Sequence, residues 1–229
     1  MVNILNDIES LFFPELCLGC DTMLFKNEKV ICSSCRHRLP LTDYHRIKNN
    51  PIEKIFYGRV EIEKATAFLN FEKGSITQKL IHQLKYNKRE EFGSMIGSWM
   101  ADQLYCYEYF STVDIVIPVP LHKKKERKRG YNQVAQFAKH MAKGLKVDYN
   151  DAALIRIAHS KTQTLKNRIM RWNDNTSVFS LTDMNELSGK HILLVDDIIT
   201  TGATLEACAK EIQKTKNVKI SIATIAVTA

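Results

Sequence analysis

The chain has 229 residues, 45% of them hydrophobic, and a formal net charge of +8. Length and composition suit one domain of ordinary size plus a small appendage, and they exclude a disordered chain. No apolar run approaches the roughly 18 residues that a membrane span needs, and Asp7 and Glu9 stand where a secretory signal would be basic and then apolar. A cytoplasmic protein with no membrane insertion is expected.

At the N-terminus Ile4, Leu5, Ile8, Leu11 and Phe12 recur at helical spacing, and Pro14 ends the pattern. Cys17-Leu-Gly-Cys20 and Cys32-Ser-Ser-Cys35 follow, two C-x2-C pairs separated by eleven residues. Two knuckles on either side of a short hairpin suit tetrahedral Zn²⁺ better than a redox pair or a disulfide staple in a reducing compartment. Four sulfur ligands leave no position for water, so the expected role of the metal is structural, with Cys17, Cys20, Cys32 and Cys35 as ligands. His37 and His45 are surplus to that set. The preceding helix is expected to pack this zinc-ribbon-like module onto the rest of the chain. The polar stretch 42–51 marks the boundary, giving a module over residues 1–50 and a main domain over 51–229.

Residues 65–71 read as a strand, and residues 76–86 and 92–107 carry helical apolar spacing, the first ending in Leu84-Lys85-Tyr86. A second strand is expected over 114–118, stopped by Pro118 and Pro120, and a helix over 131–142. Between them His122 to Arg129 reads HKKKERKR, six basic residues against one acidic. Such a run is either a solvated loop or a polyanion-binding one. Cys106 and Cys208 stand alone in helix-like segments and read as buried structural thiols. His82, His140, His159 and His191 show no ligand spacing. The polar, basic segment 156–179 suits a mobile lid.

Residues 191–205 read HILLVDDIITTGATL. Ile192 to Val195 suit a strand buried on both faces, which leaves Asp196 and Asp197 at its carboxyl end, where ligands of open α/β sheets bind. Small residues and Gly202 then let successive backbone N–H groups converge on an anion at the start of a helix. Neither GxxxxGK[ST] nor GxGxxG is present, so a Walker A loop and a dinucleotide fingerprint are excluded. Repeated strand-then-helix units favour a parallel sheet, which sets the basic run and the acidic pair at one edge and favours a ligand role for part of that run.

This last segment resembles the phosphoribosyl loop of type I phosphoribosyltransferases. The PVPL and RGYNQ motifs around the basic run, Thr162-Gln163 with Arg168 and Arg171, and LLVDDIITTGATL behind a four-cysteine module together resemble the ComF family, competence-associated proteins similar in their core to glutamine amidophosphoribosyltransferase. The resemblance implies a type I phosphoribosyltransferase fold, an α/β architecture with a central mainly parallel sheet flanked by helices. It further implies that Asp196 and Asp197 hold ribose hydroxyls of phosphoribosyl pyrophosphate, and that Thr200, Thr201, Gly202, Ala203 and Thr204 cradle its 5′-phosphate. Pro120 and Leu121 then belong to a pyrophosphate loop spanning 118–123, and residues 158–172 to the lid. Lys123, Arg168 and Arg171 become the catalytic cations that, with Mg²⁺, stabilise the departing pyrophosphate. After Arg171 the register departs from the family pattern, so Asn173 and Asn175 receive no role.

The acceptor of phosphoribosyl transfer is not legible, and no glutaminase nucleophile module is present. A second reading, in which the resemblance implies single-stranded DNA and competence-machinery proteins as partners, uses the basic run, Tyr131 and Trp172 as charge and stacking surfaces. Core packing is the alternative for Trp172 and Trp99. In a third reading the phosphoribosyl site only senses its ligand.

Overall fold

The computed structural model describes residues 14–157 and 178–228. In chain order, α1 (Ser33–His37) and α2 (Pro51–Phe56) precede β1 (Lys64–Phe71), and α3 (Ile76–Tyr86), α4 (Glu90–Tyr105) and the single turn α5 (Glu108–Ser111) follow it. β2 (Ile115–Pro118) leads through α6 (Lys123–Arg129) and α7 (Ala135–Leu145) to the short strands β3 (Asp148–Tyr149), β4 (Leu154–Arg156) and β5 (Phe179–Leu181). The order ends with β6 (His191–Ile199), α8 (Ala203–Ile212) and β7 (Lys219–Thr228).

Five strands form one sheet in the order β1-β7-β6-β2-β3, with every pair parallel. Parallel neighbours need crossovers, and the crossover helices cover both faces of the sheet. On one face Leu80 and Leu84 of α3, Phe92 and Ile96 of α4 and Phe137 and Met141 of α7 pack against Val116, Leu193 and Val195. On the other, Ile52 and Phe56 of α2, Leu205 and Cys208 of α8 and Phe179 of β5 pack against Ile117, Leu194 and Ile222. The expected parallel sheet flanked by helices is therefore present.

Several boundaries differ from the expectation for local reasons. The basic run forms helix α6 rather than a loop. The helix expected from 131 begins at Ala135, because the Asn132 side chain accepts from the Val134 N–H at 3.1 Å and holds a turn ahead of it. β6 does not stop at Val195 but continues through both aspartates to Ile199, paired with β7 throughout. Cys106 is exposed, not buried, since it caps α4 one residue beyond Tyr105 and two beyond the last buried position, Leu104. Cys208 is buried as expected, and burial raises its thiol well above the ordinary range. The helix expected over residues 4–12 lies outside the described residues.

The chain between the cysteines and α2 pairs with the outer edge of β1: Thr42 N–H donates to Phe68 O at 3.1 Å, and Asn70 N–H to Pro40 O at 2.8 Å. Asn50 then caps α2 through Ile52 N–H and Glu53 N–H while its amide donates to Ala65 O at 2.8 Å. An otherwise open sheet edge is covered in this way.

His191 opens β6 at the far end of the sheet, 4% exposed, with its ring between Thr112 Oγ1 at 2.8 Å and Ser221 Oγ at 2.9 Å. Burial lowers its pKa, so the unfolded chain binds a proton more readily than the folded one. The stability this gives is present above the ordinary imidazole value of about 6.5 and is lost as pH falls below it. Urea unfolding should therefore show a lower midpoint at pH 5.5 than at pH 7.5, and His191→Gln should flatten that dependence. An unaltered pH profile in the variant would remove His191 as its source.

Candidate functional site

Two stretches of this chain hold chemistry. The first is the cysteine module, where the four Sγ atoms of Cys17, Cys20, Cys32 and Cys35 lie within 4.8 Å of one another. Tetrahedral zinc with Zn–S bonds near 2.3 Å sets its sulfurs roughly 3.8 Å apart, and Cys20 and Cys32 stand at 3.7 Å. Backbone N–H groups of Gly19, Cys32 and Cys35 point at Cys17 Sγ (3.4 Å), Cys17 Sγ (3.2 Å) and Cys32 Sγ (3.4 Å), and Arg38 Nη2 reaches Cys35 Sγ at 3.5 Å. Such donors compensate thiolate charge, so the residues fit a structural zinc ion. Gly19 is required by space, since a Cβ there would lie 2.8 Å from Cys35 Sγ. Among the described residues no other group of cysteine, histidine or carboxylate ligands clusters in this way. His45 is buried elsewhere, edge-on to Tyr107 with ring centroids 4.9 Å apart.

The second is a cleft of about 190 Å³ at the carboxyl edge of the sheet. β2 ends at Pro118 opposite Val195, whereas β6 runs on to Ile199. From β2 the chain first turns outward to β3 and later returns to β6 on its other side, so this is the point where the direction of strand addition reverses and a crevice opens. Asp196 and Asp197 stand immediately beyond the last β2 pair and line the cleft. The two aspartates are thus terminal with respect to β2, although they lie inside their own strand.

Successive strand residues point to opposite faces. Asp197 turns toward α3 and the turn ahead of α7, where Lys85 Nζ pairs with its Oδ2 at 2.8 Å and Gln133 Nε2 donates to the same oxygen at 3.0 Å. Asp196 is half-buried, and its Oδ1 accepts from the Asp197 N–H at 2.8 Å. Gln133 is 4% exposed and its amide oxygen has no hydrogen-bond partner among the described residues, which leaves a buried acceptor in the cleft lining.

Pro120, Leu121 and Thr204 line the cleft. Thr200 and Thr201 are exposed in the turn after β6, Ala203 is exposed at the first position of α8, and Gly202 is buried with φ +73°, a conformation that glycine adopts without penalty. Gly202 is the N-cap of α8, whose first N–H groups have no partner within the helix. Arg129, from the basic run for part of which a ligand role was expected, also lines the cleft, as do Lys85, Asn132, Gln133 and Arg156, to which the sequence reading gave no role. The roles expected of Arg168 and Arg171 lie outside the described residues, as does the lid over 158–172. Lys123 opens α6, and its side chain lies outside the described part as well. Trp99 packs edge-on to Phe68 with centroids 5.0 Å apart and carries Arg36 over its ring at 4.5 Å, a packing role. Trp172 lies outside the described residues.

A parallel sheet whose acidic strand end leads through a glycine turn into a helix is the arrangement of a phosphoribosyltransferase-type domain, and residues 134–228 match the family model described as the phosphoribosyl transferase domain. The chain is 27% identical over 134 residues to the DNA utilization protein YhgH of Escherichia coli O157:H7, covering 57% of this chain and 58% of that one. It is 32% identical over 102 residues to Competence protein F of Haemophilus influenzae, 44% of each chain, and 33% identical over 96 residues to Competence protein ComFC of Bacillus subtilis, 42% of this chain and 37% of that one. Each match spans less than two thirds of the relative's length. Residues 134–228 are thus similar to the phosphoribosyl transferase domain, in a chain that resembles competence and DNA utilization proteins.

Proposed function

We propose that the cleft binds phosphoribosyl pyrophosphate with Mg²⁺ and transfers its phosphoribosyl group, in a protein that serves competence and DNA use as its relatives' names indicate. The observation that carries this reading is the sequence of acceptor and donor groups along β6 and into α8. The carboxylates of Asp196 and Asp197, with Gln133 Oε1, unpartnered among the described residues, beside them, offer acceptors for vicinal ribose hydroxyls. The N–H groups from Gly202 onward offer donors for a phosphate at the helix end. Arg129 and Arg156, which line the same cleft, add positive charge for a pyrophosphate. Mg²⁺, when bound, would neutralise pyrophosphate oxygens. Lys123, Arg168 and Arg171 are proposed to stabilise the departing group, and replacing either lid arginine by alanine should slow turnover about 10²-fold. Zinc is proposed at the four cysteines in a structural role.

Calorimetric titration of phosphoribosyl pyrophosphate with Mg²⁺ tests the site directly. Wild-type protein should bind, and Asp196→Asn/Asp197→Asn should bind at least ~10²-fold more weakly, since two charge-assisted hydrogen bonds of about 1.5 kcal/mol each are lost. Equal affinity in the two proteins would dismiss the acidic pair as the ribose site.

A second reading as a single-stranded DNA accessory draws on the face beside the cleft, where exposed Tyr86 carries Arg129 over its ring at 5.5 Å next to the basic helix α6. Binding that weakens steeply with salt, and that falls when Lys123, Lys124 and Lys125 are neutralised, supports it; salt-independent or absent binding removes it.

A further inference from the structure

The loop between β6 and α8 is held from behind by a residue far away in sequence. Arg59 lies three residues beyond the end of α2, and its guanidinium makes contacts in three directions. Nη1 donates to Ile55 O at 3.0 Å and to Thr201 O at 2.8 Å. Nε donates to Glu206 Oε2 at 2.8 Å, and Nη2 contacts the same oxygen. Glu206 sits in the first turn of α8, its carboxyl held below the usual range by Lys210 and by Arg59. A single side chain thus ties the start of α8, the carbonyl before Gly202 and the end of α2 together.

The bond to Thr201 O has a directional consequence. In a planar trans peptide the carbonyl and the following N–H point to opposite sides, so fixing Thr201 C=O toward Arg59 turns the Gly202 N–H away from it. The same wall leaves no freedom at Gly202 itself, where a Cβ would lie 2.7 Å from Ile55 Cγ2 and 3.3 Å from the Phe56 ring. Backbone donors bind an anion well only when they converge before it arrives.

We propose that Arg59 is a positioning residue of the phosphate loop: by clamping Thr201 O and Glu206 it presets the N–H groups at the start of α8 for a phosphomonoester. The segment that joins the cysteine module to the sheet thereby becomes part of the binding site's back wall. This inference rests on the phosphoribosyl reading above.

Ribose 5-phosphate and inorganic pyrophosphate are the probes, because only the first ends in the phosphomonoester that this loop would hold. In Arg59→Met, ribose 5-phosphate affinity should fall at least tenfold, with pyrophosphate affinity and thermal midpoint near wild type. Arg59→Lys should recover only part of the loss, since an ammonium cannot reproduce the planar fork on Thr201 O and Glu206. Unchanged ribose 5-phosphate affinity in Arg59→Met overturns the proposal, and so does an equal loss for both probes, which would mark a general structural role. If wild type binds neither probe, the phosphoribosyl reading itself fails. Amide hydrogen exchange at Gly202 and Ala203 then decides the clamp alone: faster exchange in Arg59→Met keeps it, and unchanged exchange overturns it.

Discussion

Removing the zinc proposed at the cysteine module should lower the thermal midpoint of the chain by roughly 6 to 12 °C, and Cys32→Ser should do the same without a chelator. A structural zinc site contributes its binding free energy to folding, and even ~3 kcal/mol of that contribution corresponds to a shift of this size for a chain of 150 to 250 residues. The effect should reach the main domain because the module has no separate core: Cys17, Leu18, Ile31, Cys35 and Leu39 belong to the same buried cluster as Leu80 of α3 and Phe92 of α4. Gly19→Ala should reproduce part of the loss with all four ligands intact, since its Cβ would meet Cys35 Sγ at 2.8 Å. Metal content by elemental analysis, read beside the melting curve, gives the check. One equivalent of zinc in wild type that is lost in Cys32→Ser is the expected result, and metal-free wild type with the same midpoint would remove the structural role.

What the sequence disclosed and what it withheld divide along a physical line. The four cysteines, the acidic pair and the glycine turn were legible because their chemistry depends on short-range spacing: two C-x2-C knuckles, and one strand running into one helix. The strands over 65–71 and 114–118 and the helix over 76–86 were legible from periodicity, and they lie within one residue of those bounds. β7 was not singled out, although its run KISIATIAVT is buried almost throughout and it sits between β1 and β6 in the sheet. A continuous apolar run declares burial but not which neighbours it takes. Lys85, Gln133 and Arg59 were missed for a related reason. Lys85 is the last-turn lysine of an amphipathic helix, Gln133 a polar residue in a turn and Arg59 a loop arginine, and each acquires its role from a partner 112, 64 or 147 residues away. The helical form of the basic run was withheld too, because charge density masks a pattern that has no apolar stripe.

Lys85→Met should destabilise the fold by about 2 to 3 kcal/mol, and the double variant Lys85→Met/Asp197→Asn should recover most of that loss while still failing to bind phosphoribosyl pyrophosphate. The pair is nearly enclosed, with side-chain exposures of 20% for Lys85 and 11% for Asp197. Breaking a fully buried pair costs about 3 to 5 kcal/mol because one charge is left without its partner, and the residual exposure here reduces the figure. The cost should be asymmetric. Lysine has a flexible stem that can carry its ammonium to the mouth of the cleft when Asp197 is neutralised, whereas Asp197 is short and fixed in β6, so Asp197→Asn alone should cost less than Lys85→Met. The double variant replaces two charges by neutral groups of similar size, which is often close to neutral for stability. Its loss of ligand would then report on the site and not on the fold, because Lys85 and Gln133 both spend their bonds on Asp197 Oδ2 and leave the other carboxylate oxygen for the ribose hydroxyl proposed there. Urea midpoints for the two single variants and the double give the coupling energy. A coupling below about 0.5 kcal/mol would mean that water already screens the pair, and Lys85 would then be an ordinary surface lysine at the rim of the cleft.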